Sequence, residues 1–157
     1  MSDNAKSTQA SDGAKPAQST RPAGPPPAKP VPSPNDATAP FWSGCAQGVM
    51  RLRHCAACGK VSAPTRAVCA CGNAELGWKD CSGKGTVFSY TVVHRAPDPA
   101  FRADVPYVIA VVELEEGARL MSNVIGCPPA EVRIGMKVSA VYETVAENVG
   151  VPKFQRA

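Results

Sequence analysis

Cys55-Ala-Ala-Cys58-Gly59-Lys60 and Cys69-Ala-Cys71-Gly72-Asn73 are two short segments of the same design, each closing on Cys-Gly. A cysteine pair on a tight turn aims both sulfurs at one metal, while backbone N–H groups hydrogen-bond the thiolates. The glycine after the second cysteine supplies the positive φ that such a turn demands. Two such turns deliver four thiolates, the closed tetrahedral set of structural zinc. Cys55, Cys58, Cys69 and Cys71 are therefore the expected ligands. Iron in a rubredoxin-like site is the alternative, since four thiolates suit both metals. A closed site leaves no position for substrate. The metal is expected to hold together a segment too small for its own core rather than to catalyse.

The two pairs are not identical. The first has CxxC spacing and the second CxC. Residues i and i+2 of an extended chain share a face, so the sulfurs of Cys69 and Cys71 can still converge. The fit is tighter there, and it bears hardest on Cys69. The residues between the pairs include Pro64 and Arg66 and are expected to form the loop between two knuckles. Cys45, Cys81 and Cys127 have no such pairing and read as buried or half-buried thiols.

Upstream of the first knuckle, Met50, Leu52 and His54 alternate with Arg51 and Arg53, the pattern of a half-buried strand. Phe41-Trp42 opens the folded part, and Ser-Gly-Cys-Ala-Gln-Gly after it can make about two helical turns. Residues 1–40 are different in kind. They hold nine of the chain's 16 prolines, and their only large apolar side chains are Met1 and Val31. Such a segment cannot bury enough surface to offset its ordering entropy. It is expected to be a disordered, Pro/Ala-rich tail with polyproline character between Pro22 and Pro34. The expected division is a tail at 1–40, a short helix with the metal ribbon at 41–82, and a barrel at 83–157.

The barrel follows from a change of pattern at Gly83-Lys84-Gly85, a flexible lead-in. Thr86–His94 is rich in β-branched and aromatic residues. Arg95–Val105 is a loop broken by Pro97 and Pro99, and Pro106–Leu114 is a near-continuous apolar run suited to a buried strand. Glu115-Glu116-Gly117 reads as a hairpin turn and Ala118–Ile125 as the return strand. Residues Cys127–Ile134 hold two prolines and about one helical turn. Lys137–Thr144 is a further strand, and Lys153–Arg156 a short last one. Five strands with a break between the third and fourth match an OB-type Greek-key barrel, with an SH3-like barrel as its rival. The fold class is therefore mainly β. The only histidine in the barrel, His94, is expected to be partly buried and satisfied.

Hydrophobic residues make up 44% of the 157 residues, enough for a core, and the formal net charge of +4 is too small to argue for a nucleic-acid binder. No apolar stretch approaches the length of a membrane helix, and the N-terminus lacks the apolar region of a secretory signal. The expected compartment is the cytoplasm, where clustered cysteines serve as metal ligands rather than disulfides.

The order of these features resembles a known family. Phe41-Trp42, the CxxCG knuckle, a second cysteine pair with glycine, Thr91–Phe101 (TVVHRAPDPAF), Pro106–Gly117 (PYVIAVVELEEG) and Ile134–Val138 (IGMKV) are similar to proteins with a rubredoxin-like zinc ribbon followed by an OB-fold, associated with acyl-CoA metabolism. The resemblance covers about Phe41 to Phe154. Members usually carry CxxC in the second pair, so Cys69-Ala-Cys71 departs from the pattern. The resemblance implies a structural zinc and an accessory subunit of a thiolase-like or hydratase-like enzyme. Such a subunit completes the complex, helps hold acyl-CoA and is not expected to catalyse alone.

CoA carries phosphates, so basic groups beside a barrel loop suit it. His94, Arg95 and Arg102 lie on or beside the Pro97/Pro99 loop and Arg66 lies in the ribbon loop. The plainer reading of each is solvated surface charge. Zinc ribbons and OB-folds also bind single-stranded nucleic acid, by stacking bases on exposed aromatics in a basic groove. Aromatics are only 6% of this chain, and Phe88, Tyr90 and Tyr107 are expected inside apolar strands. From Phe41 onward the chain carries 13 basic against 10 acidic side chains, which disfavours that reading. An iron-bearing electron carrier is the third reading.

Overall fold

The first helix begins where Asn35 and Thr38 hold each other. The Asn35 carbonyl accepts the backbone N–H groups of Thr38 and Ala39, and the Thr38 hydroxyl donates to the Asn35 side chain at 2.9 Å. Helix α1 (Ala39–Ala46) follows, with Pro40 in its first turn, where a missing N–H costs no hydrogen bond. Phe41 and Trp42 thus lie within the helix rather than ahead of it. In this computed structural model the described residues are 27–157. The tail expected at 1–40 therefore lies partly outside them. Its remainder touches the body: Lys29 pairs with Asp104 at 2.6 Å, and Arg53 donates to the Ala37 carbonyl at 2.9 Å.

Three strands make the ribbon sheet, in the order β2 (Val61–Ser62), β1 (Met50–Cys55) and β3 (Leu76–Cys81), all antiparallel. Only β1 is marked by alternating hydrophobicity. The sequence Leu76-Gly77-Trp78-Lys79-Asp80-Cys81 has glycine and charges where a strand favours branched or aromatic residues. Its pairing along the whole of β1 supplies the backbone bonds that its own propensity does not support.

The second unit is a closed barrel in the order β4 (Lys84–Val93), β5 (Tyr107–Leu114), β6 (Arg119–Ile125), β8 (Val149–Arg156) and β7 (Lys137–Ala146), with β7 returning to β4. That order, with its single parallel seam between β6 and β8, is the OB arrangement. The expected flexible lead-in is in fact strand: Lys84 and Gly85 pair with β7, and Gly85 pairs with β5 as well. A Cβ on Gly85 would sit 2.6 Å from the Glu113 carbonyl oxygen, so glycine there permits close approach rather than flexibility. The last strand is longer than Lys153–Arg156 because Glu147-Asn148 makes a hairpin turn, with Asn148 at φ 56°.

Pro152 explains why the parallel seam is short. Residues of one strand direct N–H and C=O to the same side, and the Pro152 carbonyl faces β6, where the Ser122 hydroxyl donates to it at 2.6 Å. The missing proline N–H therefore also faces β6, and the ladder there is limited to Val124–Phe154 and Ile125–Gln155. One contiguous core joins the two units. Met50, Leu52 and Val61 of the ribbon and Phe41 and Cys45 of α1 pack with Val87, Val112, Val138 and Phe154 of the barrel.

Candidate metal centre

Each knuckle is built by its own backbone. In the first, the Gly59 N–H donates to the Cys55 carbonyl at 2.8 Å, and the Cys55 N–H to the Lys60 carbonyl at 3.0 Å. In the second, the Gly72 N–H donates to the Cys69 carbonyl at 3.0 Å, and the Cys69 N–H to the Asn73 carbonyl at 2.8 Å. Gly59 and Gly72 take φ of 72° and 89°, the left-handed values that the Cys-Gly pattern requires. Strand β1 carries the first knuckle at its end, and the turn before β3 carries the second.

The four sulfurs converge. Cys55 and Cys71 are 3.7 Å apart, Cys58 and Cys69 are 3.5 Å apart, and all four lie within 4.8 Å of one another. A tetrahedral site with metal–sulfur bonds of about 2.3 Å places its sulfurs about 3.8 Å apart, so the donor set fits a four-thiolate metal. The CxC spacing does not exclude Cys69, whose sulfur lies beside that of Cys58. Cys55 and Cys69 are buried while Cys58 and Cys71 face solvent. The site is thus a surface clasp with a protected inner half.

Asn73 is the neighbour that sequence reasoning missed. Its amide donates to the Cys55 sulfur at 3.4 Å and to the Glu75 carbonyl at 3.0 Å, and its oxygen accepts the Glu75 N–H. The signal was present: Asn73 follows Cys71-Gly72, where a side-chain amide can fold back onto the knuckle. The Asn73 hydrogen bond brings the Cys55 thiol down to about 6, against the opposing effect of burial. At Cys58 the Lys60 backbone N–H favours the thiolate, but the surrounding sulfurs outweigh it and push that thiol up to about 12. Four crowded thiols do not ionise together without a cation, and a bound divalent metal removes that conflict.

The other candidates are placed differently. Arg66 is exposed and lines a shallow cleft with Ala63, Thr65 and Val68 on the ribbon. His94, Arg95 and Arg102 are exposed on the loop between β4 and β5, beside the short 3-10 turn Pro99–Phe101. His94 is therefore not the partly buried, satisfied histidine expected. It follows the last residue of β4, where the chain leaves the sheet and no neighbour covers it. Phe88 and Tyr90 are likewise exposed rather than enclosed, at 45% and 37%. A bulge between Val87 and Ser89 breaks the strand's alternation there. Cys45 is fully buried and Cys81 and Cys127 half-buried, and burial raises Cys45 to about 12 and Cys81 to about 11.

A four-cysteine ribbon followed by an OB-barrel defines the class of the protein. Residues 42–77 match the family described as the ChsH2 rubredoxin-like zinc ribbon domain, and residues 78–143 match the ChsH2 C-terminal OB-fold domain. A DUF35 domain-containing scaffold protein of Methanocaldococcus jannaschii is 43% identical over 97 residues, covering 60% of this chain and 68% of that one. The 3-oxo-4,17-pregnadiene-20-carboxyl-CoA hydratase alpha subunit of Mycobacterium tuberculosis is 42% identical over 111 residues, covering 71% of this chain but 35% of that one. Among solved structures, a chain of the Ltp2-ChsH2(DUF35) aldolase superposes with a TM-score of 0.69 at 34% identity, covering 80% of this chain and 98% of that one. The chain belongs to the DUF35 family of ChsH2-type zinc-ribbon and OB-fold proteins.

Proposed function

We propose that this chain is a non-catalytic accessory subunit that binds an acyl-CoA enzyme, completes its complex and helps hold the acyl-CoA. The observation that carries the reading is the match to a chain of the Ltp2-ChsH2(DUF35) aldolase over 98% of that chain's length. It extends through both modules, so the likeness is to a whole subunit and not to a shared motif. The archaeal relative is named a scaffold protein, and the M. tuberculosis relative a hydratase alpha subunit, which supports an enzyme partner; that this partner is thiolase-like or hydratase-like is part of the proposal. The four cysteines hold one zinc, whose work is to fix the ribbon beside the barrel. Arg66, His94, Arg95 and Arg102 are exposed and free of side-chain partners among the described residues, which leaves them open to a phosphate. No helix among the described residues is long and apolar enough to cross a membrane. The proposed compartment is the cytoplasm, where the clustered cysteines stay reduced and available to metal.

The test is kinetic. Co-purification with a thiolase-like or hydratase-like subunit from the same organism should give a stable complex with activity that neither protein shows alone. Arg95→Ala or Arg102→Ala should then raise the apparent KM for acyl-CoA by roughly 10-fold, about 1–3 kcal/mol for one phosphate contact, with less change in kcat. Turnover by the isolated chain, or full partner activity without it, contradicts the proposal. Metal analysis separates the readings of the ribbon: a colourless protein with one zinc supports a structural clasp, and a red, iron-bearing protein supports an electron carrier.

A further inference from the structure

One strand of the barrel is apolar on both faces but fully covered on only one. Tyr107–Leu114 is apolar at every position except Glu113, the pattern of a strand buried from both sides. Within this chain Val108, Ala110, Val112 and Leu114 fill the barrel, while Tyr107, Ile109 and Val111 point outward and are half-buried. The strand register extends that outer row. Val111 lies opposite Met121, which is 77% exposed, and the bulged Phe88 beside them is 45% exposed. Ser89, Thr91 and Asn123 share this outer face, so its apolar part is a patch made by Ile109, Val111, Met121 and Phe88, and an apolar patch rimmed by polar residues is a mark of an interaction site.

The charges at its border say what covers it. Lys137, Thr86, Glu113 and Arg119 form one cross-strand row at the end of this face. Arg119 lies over the Phe88 ring, 3.5 Å from its centroid, and holds Glu113 through two nitrogens, each 3.0 Å from the carboxylate. Lys137 has only the Thr86 hydroxyl, at 2.9 Å, so its charge lacks a counter-ion among the described residues. A second copy of this chain would bring the same row, two cations against one carboxylate, and Arg119 already holds that carboxylate by its Oε1. Self-pairing thus sets net positive charge against net positive charge and leaves Lys137 short of a counter-ion. The complementary surface is an apolar one edged by a carboxylate, on a different protein.

We propose that the outer face of β4, β5 and β6 is the docking surface for the acyl-CoA enzyme subunit, with Met121 and Val111 covered by that subunit and Lys137 facing one of its carboxylates. The inference rests on the accessory-subunit reading above and adds the surface that serves it. Met121 and Lys137 project into solvent, so changing them leaves the core alone.

The experiment is a binding series with the thiolase-like or hydratase-like subunit that co-purifies with this chain, titrated against full-length wild type and variants. Met121→Glu should weaken the complex on the order of 100-fold, as for a charge placed in the centre of an interface. Lys137→Ala should weaken it by about 10-fold, mainly through slower association, and reduce its salt dependence. Ile134→Glu, at an exposed apolar residue outside these strands, should bind as wild type does. Unchanged melting and metal content in each variant show that folding is not the cause. Wild-type affinity in Met121→Glu, or equal losses in Ile134→Glu, overturns the docking surface and leaves the accessory-subunit reading standing. Self-association of the wild type that Met121→Glu abolishes also overturns it, in favour of a homodimer face. If the wild type does not bind the subunit at all, the accessory-subunit reading falls and this surface falls with it.

Discussion

Arg53 and Trp78 are direct register partners across β1 and β3, and the guanidinium lies 4.1 Å from the centroid of the indole ring. The same guanidinium donates to the carbonyls of Ala37 at 2.9 Å, Pro64 at 3.4 Å and Leu76 at 3.3 Å. One side chain therefore joins the segment before α1, the loop between the knuckles and the edge strand of the ribbon. Only a planar fork does this, because an ammonium cannot stack on the ring while donating in three directions in its plane.

Arg53→Lys is accordingly not conservative. It should lower stability by about 2 kcal/mol, from lost stacking and two or more lost hydrogen bonds to the charged group. A chain that starts at residue 39 removes Ala37, the Thr38–Asn35 contact and the Lys29–Asp104 pair, and should lose about 1–2 kcal/mol. Thermal unfolding of the metal-loaded protein checks both. Identical melting curves for wild type and Arg53→Lys would show the contacts to be incidental.

Cys69→Ser should abolish metal binding as completely as Cys58→Ser does. The sulfurs of these two residues are 3.5 Å apart, and the metal needs both despite the shortened CxC spacing. Asn73→Ala keeps all four thiolates but loses the donor to Cys55 and should weaken metal affinity by roughly 10-fold, the usual scale for a group that orients a ligand. Competition with a chromophoric chelator gives both numbers. A Cys69→Ser protein that retains stoichiometric metal would place the fourth ligand elsewhere.

Gly150 of β8 faces the end of α1 at a distance no side chain tolerates. An added Cβ would lie 2.2 Å from the Ala46 nitrogen and 2.3 Å from the Cys45 carbonyl carbon. These are backbone atoms and cannot swing aside. Gly150→Ala should force the helix off the barrel and cost more than about 3 kcal/mol, at the upper end of overpacking. Gly117→Ala meets no atom within 4 Å, and its φ of 81° gives only the ordinary penalty of about 1 kcal/mol. Denaturant unfolding of the pair separates close approach from backbone strain.

The parts legible in the sequence are those whose signal is local. Two Cys-Gly turns declare a metal clasp because the chemistry sits within a few residues, and Thr86–His94 and Pro106–Ile125 declare strands through their branched and aromatic residues. Leu76–Cys81 was illegible because its strand character comes from β1 beside it. The extent of β8 was hidden by Pro152, whose missing N–H faces β6 and so leaves the ladder with β7 running past it. Exposure was least legible of all. The apolar run 106–114 was read as a buried strand, Phe88 as lying inside an apolar strand and His94 as partly buried, since a sequence shows hydrophobicity but not which face has a neighbour. The basic residues Arg66, Arg95 and Arg102 carry no local pattern that separates a phosphate contact from a solvated charge.

Glu116 links the barrel to the ribbon through its hairpin turn. Its carboxylate accepts the Ser82 backbone N–H at 2.6 Å, in the short connection between β3 and β4, and its second oxygen is buried without a partner among the described residues. Burial alone would raise its pKa, but the Ser82 N–H, its own N–H and the Ser82 hydroxyl outweigh burial, and the net shift is downward from the ordinary value of 4.5. The carboxylate binds its proton less readily when folded than when unfolded. Its contribution is therefore complete above 4.5 and is lost as pH falls through the lower folded value. Glu116→Gln keeps an oxygen for Ser82 and removes the titration, so its stability should fall less steeply than that of wild type on the acid side of 4.5. Acid also protonates the thiolates and releases metal, but wild type and variant share that loss, and the difference between their curves isolates Glu116. Urea unfolding followed by the fluorescence of Trp42 and Trp78 across this range gives the two slopes, with Glu115→Gln on the same turn as the charge-matched control. Parallel acid limbs for wild type and Glu116→Gln would mean that the Ser82 contact does not couple protonation to folding.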